Sequence, residues 1–114
     1  MGMGMSDIFF QLGEVLKDRR NANPNSSYVA SLHEMGLDKI LEKIGEESTE
    51  LIISAKNNDS DQSREEVVGE VADLWFHLMV LLRHKDIQIE EIESELARRF
   101  GVSGHEEKAS RESK

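Results

Sequence analysis

Five carboxylates fall in two short runs, Glu46-Glu47-Ser48-Thr49-Glu50 and, after nineteen intervening residues, Glu70-Val71-Ala72-Asp73. Their spacings are E-E-x-x-E and E-x-x-D. On a helix, residues three and four apart share a face, with Cβ atoms roughly 5–6 Å apart. Glu46 and Glu47 therefore stand near Glu50, and Glu70 near Asp73. Like charges gathered this way repel, and the repulsion must be offset by something positive. All-oxygen carboxylate sets suit hard divalent ions, Mg2+ or Mn2+. Such an ion points to phosphate chemistry, because it neutralises phosphate oxygens and lowers the pKa of a bound water.

The competing reading is a solvated acidic face, and for Glu42, Glu65, Glu90, Glu91, Glu93 and Glu95 it suffices. For the two clusters, magnitudes favour the metal. An exposed like-charge pair on a helix costs only a few tenths of a kcal/mol. Partly buried carboxylates about 6 Å apart repel by roughly 3 kcal/mol at an effective dielectric near 20. Between Glu70 and Leu82 the only strongly polar side chains are Glu70, Asp73 and His77. At about 100° per residue they fall within a stripe roughly 60° wide, which Glu66 extends by a turn. Val67, Val71, Leu74, Trp75, Leu78 and Leu82 lie on one flank, and Ala72, Phe76 and Met79 on the other. A helix apolar nearly all round is expected to be buried nearly all round. His77, one turn from Asp73, is read as a core histidine or an orienting partner behind the ligands rather than a ligand itself. His33, His84 and His105 have no constellation around them.

The elements that must position these groups all have helical period. Ser6 is a plausible N-cap for a helix to about Arg20, with Ile8, Phe9, Leu12, Val15 and Leu16 at core spacing. Asn21 to Ser26 form a turn-rich loop around the single proline, Pro24. A short helix from Ser27 to about Met35 ends at Gly36. A longer one, about Leu37 to Lys56, puts Leu37, Ile40, Ile44, Leu51 and Ala55 on one side. Its other face carries Lys39, Lys43, Glu46, Glu47 and Glu50. Asn57 to Ser60 break it, and the most hydrophobic helix follows, about Gln62 to His84. A last helix, about Gln88 to Phe100, stops at Gly101. Two antiparallel helices on a short connection bring both acidic faces together. The expected architecture is all-α, a compact bundle of four to five helices.

At 114 residues the chain has room for one modest core. Residues 6–101 are read as a single helical domain, 1–5 as an extraneous or ragged start, and 102–114 as a polar disordered tail. A formal charge of −9 argues against passive binding to nucleic acid or a membrane surface. It leaves room for a nucleotide whose phosphates reach the protein through a metal. The absence of cysteine excludes a disulfide framework, a thiol nucleophile and Cys-ligated zinc. The start has no secretory pattern, and Leu74 to Leu82 falls far short of the ~20 residues a membrane helix needs. A soluble, cytoplasmic protein is expected.

The E-E-x-x-E and E-x-x-D pattern resembles that of the MazG-type all-α nucleotide pyrophosphohydrolases. Further residues narrow the likeness: Arg19 and Arg20, Asn23-Pro24-Asn25-Ser26-Ser27-Tyr28, Lys39-Ile40, Lys43-Ile44-Gly45-Glu46-Glu47, and Glu70 through Leu78. Together they resemble the phosphoribosyl-ATP pyrophosphatase family over roughly residues 7 to 100. The resemblance implies Mg2+-dependent hydrolysis of phosphoribosyl-ATP to phosphoribosyl-AMP and pyrophosphate, the second step of histidine biosynthesis, by a homodimer. A bundle this small would gain from burying its hydrophobic fourth helix against a twin. Ser48 stands where the family usually has a small apolar residue and Trp75 where an aliphatic one is common.

Carried over by position, Glu47, Glu50, Glu70 and Asp73 are the implied metal ligands. Glu46 is a further ligand or the base that orients water. The N-P-x-x-S-Y segment, with Asn23 and Tyr28, lies around the family's substrate pocket. Lys39, Lys43, Arg19 and Arg20 are candidates for phosphate contact. For Lys43 a surface ion pair with Glu47 competes evenly, and for Arg20 the ion pair is preferred. Tyr28 stacks on the substrate or packs in the bundle. Two rivals remain at this level. One is a house-cleaning nucleotide pyrophosphatase of the same fold, which would turn over ordinary dNTPs. The other is a non-catalytic helical dimerisation module, which would bind neither Mg2+ nor Mn2+.

Overall fold

The computed structural model describes residues 5–57 and 61–101. Five helices make up the described residues: α1 Met5–Arg19, α2 Tyr28–Met35, α3 Leu37–Asn57, α4 Asp61–His84 and α5 Ile89–Phe100. The all-α bundle expected from the periodicity is the one observed. Helix α1 begins at Met5, so Ser6 lies inside its first turn rather than capping it. The anticipated tail from Val102 lies outside the described residues.

Local chemistry sets the boundaries. Asn23 shapes the loop before α2: its Oδ1 accepts from the Asn25 N–H at 2.9 Å, and its carbonyl accepts from the Ser26 and Ser27 N–H groups at 3.0 Å each. Ser27 then caps α2, its hydroxyl accepting from the Ala30 N–H at 3.2 Å. Gly36 ends that helix at φ 99°, a conformation that disfavours any side chain. After α4 the chain turns through paired bonds, Ile87 N–H to Leu82 O at 2.8 Å and Asp86 N–H to Arg83 O at 3.1 Å. This is a Schellman turn with Asp86 in the left-handed position at φ 58°. Helix α5 starts where the Glu91 carboxylate accepts from the Gln88 N–H at 2.8 Å.

Leu16, Val29, Leu32, Ile40, Met79 and Val80 form the core, with Phe9, Leu12, Ile44 and Phe76 packed against it. These residues come from α1, α2, α3 and α4, so four helices share one apolar centre. The main packing is α3 against α4, with the helices antiparallel. The Ser63 hydroxyl donates to Ser54 O at 3.1 Å near the connection, and Glu50 meets Glu70 further along.

Burial differs from expectation on two faces. Helix α4 is not enclosed all round: Val68 is 63% exposed, Trp75 40% and Leu78 37%. Phe9 of α1 meets the Trp75 ring edge-on at 5.3 Å, but the helices of one chain cover this side only in part. Ala55 of α3 and Ile8 and Val15 of α1 are likewise exposed, although their spacing matched the core positions.

Candidate metal centre

Glu47, Glu70 and Asp73 each present a carboxylate oxygen, and the three oxygens lie within 4.8 Å of one another. Glu47 comes from α3, and the other two from successive turns of α4. The site grades from inside to outside. Glu47 is only 7% exposed, Glu70 is half-buried and Asp73 is exposed. One wall is therefore protein and the other is open to an incoming ligand.

Two observations fit a divalent cation here. Glu70 Oε2 is enclosed and has no hydrogen-bond partner, and an enclosed carboxylate oxygen left unpaired is costly. The Glu70 carboxyl is also held above its ordinary pKa. Burial contributes most, then a hydrogen bond to Glu50, then the charges of Glu50, Glu47 and Asp73. A cation among these oxygens would relieve every one of those effects. The oxygens bound to one Mg2+ lie about 3–4 Å apart, so the observed spread is close to that span.

The other acidic residues divide. Glu50 reaches the centre through its hydrogen bond with Glu70 but lies outside the three-oxygen cluster. Glu46 is exposed and accepts from Lys43 Nζ at 3.2 Å. Lys43 therefore pairs with Glu46 rather than Glu47, its expected partner one turn on. That hydrogen bond, with Tyr28 and Glu47 nearby, raises the Lys43 ammonium above its usual pKa. Lys43 thus stands as a charged amine at the edge of the centre.

Tyr28 connects the centre to the loop before α2. Its hydroxyl is 2.8 Å from His77 Nε2, and His77 Nδ1 is 2.9 Å from Asp73 O and 3.6 Å from Glu47 Oε1. The Tyr28 ring stacks with Phe76, centroids 6.4 Å apart. Arg19, Ala22, Ser26, Ser27, Tyr28 and Phe76 line a groove of about 440 Å3 on this side. Phe76 was legible only as an apolar flank residue, because nothing local in sequence tells a groove lining from a core contact.

Other expected contacts lie elsewhere. Arg20 donates to Arg83 O at 2.7 Å and pairs with Asp86 at 2.8 Å, the ion pair preferred for it. Lys39 pairs with Glu42 at 3.4 Å. Asn23 has its side-chain oxygen committed to the loop. His33 and His84, which had no neighbours of note in sequence, stack at 5.2 Å with their Nδ1 atoms 2.9 Å apart. That corrects the reading of both as isolated. His105 lies outside the described residues.

The family model described as phosphoribosyl-ATP pyrophosphohydrolase matches residues 9–100. A phosphoribosyl-ATP pyrophosphatase of Hydrogenovibrio crunogenus is 52% identical over 106 residues, covering 93% of this chain and 94% of that protein. The family match runs from within α1 to the end of α5 and includes the carboxylates of α3 and α4, and the chain belongs to the phosphoribosyl-ATP pyrophosphohydrolase family.

Proposed function

We infer that this protein hydrolyses phosphoribosyl-ATP to phosphoribosyl-AMP and pyrophosphate, the second step of histidine biosynthesis. The observation that carries the reading is the cluster of Glu47, Glu70 and Asp73 on facing helices in a chain of this family. The proposed ligands of Mg2+, or Mn2+ in its place, are these three with Glu50. When bound, the ion neutralises phosphate oxygens and lowers the pKa of an attacking water.

The chain's own residues supply the rest. Glu46, the exposed residue next to Glu47, is the proposed group that orients the water or takes its proton. Lys43, paired with Glu46 at 3.2 Å, can contact phosphate as a point charge. Arg19 and Tyr28 line the groove, where a guanidinium and an aromatic face suit a nucleotide's phosphates and base. The water oxygen bonds to one phosphorus of the α–β anhydride as the bridging oxygen leaves on the other product, and the water's proton passes to the base. Residues 6–101 are the proposed catalytic domain. Among the described residues no helix is long and apolar enough to cross a membrane.

Product analysis after incubation with phosphoribosyl-ATP and Mg2+ tests the reading. One pyrophosphate per phosphoribosyl-AMP is expected, with activity lost in excess EDTA. Stoichiometric orthophosphate would contradict the reaction, full turnover in EDTA would contradict the metal, and preference for ordinary dNTPs would contradict the substrate.

A further inference from the structure

We infer that His77 is a positioning residue that holds Tyr28 of the groove and Glu47 of the carboxylate centre in one register. The inference rests on the proposed role of Glu47 as a metal ligand. His77 is 6% exposed and lies where three helices meet: Tyr28 from α2, Glu47 from α3 and Asp73 one turn before it on α4. The Asp73 carbonyl can only accept, so Nδ1 carries a proton and donates at 2.9 Å. In the neutral ring Nε2 then accepts from the Tyr28 hydroxyl at 2.8 Å. Both nitrogens are thus committed, and one tautomer is fixed.

The ring cannot turn without losing both bonds. Tyr28 and Phe76 also meet it edge-on, with centroids 5.9 and 5.3 Å away. The fixed Nδ1–H edge faces Glu47 Oε1 at 3.6 Å, too long for a hydrogen bond but close for an electrostatic contact. Any buried histidine must satisfy both ring nitrogens, but here the partners lie on the groove and beside the carboxylate centre rather than within the core. An aliphatic side chain would fill that space without the cost of burying two polar nitrogens. The polar partners account for the residue type. Tyr28 is half-exposed and lines the groove, so a ligand pressing on its ring acts on Glu47 through the imidazole.

Mn2+ binding by calorimetry on the substrate-free protein tests this, with kinetics on phosphoribosyl-ATP and melting curves alongside. Tyr28→Phe should weaken Mn2+ binding about threefold although Tyr28 touches no carboxylate of the centre, because it frees the ring. His77→Gln reaches the Nε2 position but loses the Nδ1 arm, and should weaken binding about tenfold or more. His77→Asn keeps a donor near Nδ1 but loses the Nε2 contact with Tyr28, so it should bind Mn2+ more nearly as wild type, and both it and Tyr28→Phe should raise KM. In a His77→Gln background, Tyr28→Phe should change KM but leave Mn2+ affinity unchanged. If the His77 variants fail to fold, Tyr28→Phe alone still decides. Wild-type Mn2+ affinity in Tyr28→Phe would overturn the coupling and leave the metal reading intact. A wild-type protein that binds no Mn2+ would overturn both.

Discussion

Glu70 sits half-buried with one enclosed, unpaired oxygen among Glu47, Glu50 and Asp73. Because its folded pKa is raised above 4.5, the metal-free fold holds a proton that the unfolded chain releases. Its contribution to metal-free stability is therefore present at low pH and is lost as pH rises above about that value. Glu70→Gln keeps the shape and removes the charge, and Asp73→Asn does the same beside it. Both variants should melt at or above wild type in EDTA at pH 7. Both should also lose activity by at least about 100-fold, the upper end of what losing an outer partner of a metal costs. Melting several degrees below wild type in EDTA would make the acidic stripe architectural. At this scale the sequence was legible where spacing is local. The i,i+3 carboxylates and the polar position of His77 could be read directly, but the Tyr28 partner lies 49 positions away and left no trace.

Between elements, the stacked His33 and His84 rings tie the end of α2 to the end of α4. Burial lowers the His33 pKa most, followed by the charges of His84, Arg20 and Arg83. Arg20 is held in that neighbourhood by Asp86 and Arg83 O. A lowered folded pKa means the unfolded chain takes the proton first. Stability from neutral His33 is then complete above pH about 6.5 and is lost as pH falls toward the folded value. Glu70 works in the opposite direction at lower pH, so the informative quantity is a difference between proteins. Urea midpoints from pH 7.5 to 5 should drop more steeply for wild type than for His33→Leu, and parallel curves would refute the assignment. Helix existence and order were legible because Ser27, Gly36 and Pro24 punctuate apolar periods. Burial was less so. Periodicity shows which face is apolar, not whether one chain owns enough helices to cover it, and Trp75, Leu78 and Ala55 show the difference.

For the molecule as a whole, that uncovered face is the outstanding feature. Trp75, Leu78, Ile92 and Leu96 surround an apolar hollow of about 280 Å3, and Ile52 of α3 is 67% exposed. The hollow is the apolar surface we propose as an interface, with a second copy of the chain as its occupant. Light scattering at micromolar concentration should give about twice the 12.9 kDa chain mass. Trp75→Glu should shift it toward the single-chain value, because a charge buried without a partner is costly. A 12.9 kDa particle for wild type would refute the dimer.

The centre is built from consecutive helices, with Glu47 and Glu70 only 23 positions apart (70 minus 47). Most of the packing is likewise between α3 and α4. Loop-closure entropy grows with separation, so such neighbours find one another early, and chains dominated by local contacts fold in microseconds to milliseconds. Stopped-flow refolding in EDTA should show the bundle regained within milliseconds, while a seconds-long phase that persists in double-jump refolding and at every protein concentration, so that neither the Asn23–Pro24 bond nor assembly causes it, would indicate that distant contacts limit the rate. The carboxylates would then meet before any ion can help them. Their mutual repulsion is a barrier that the apolar side of the α3–α4 hairpin must overcome alone, and the order of events is fold first, cation second.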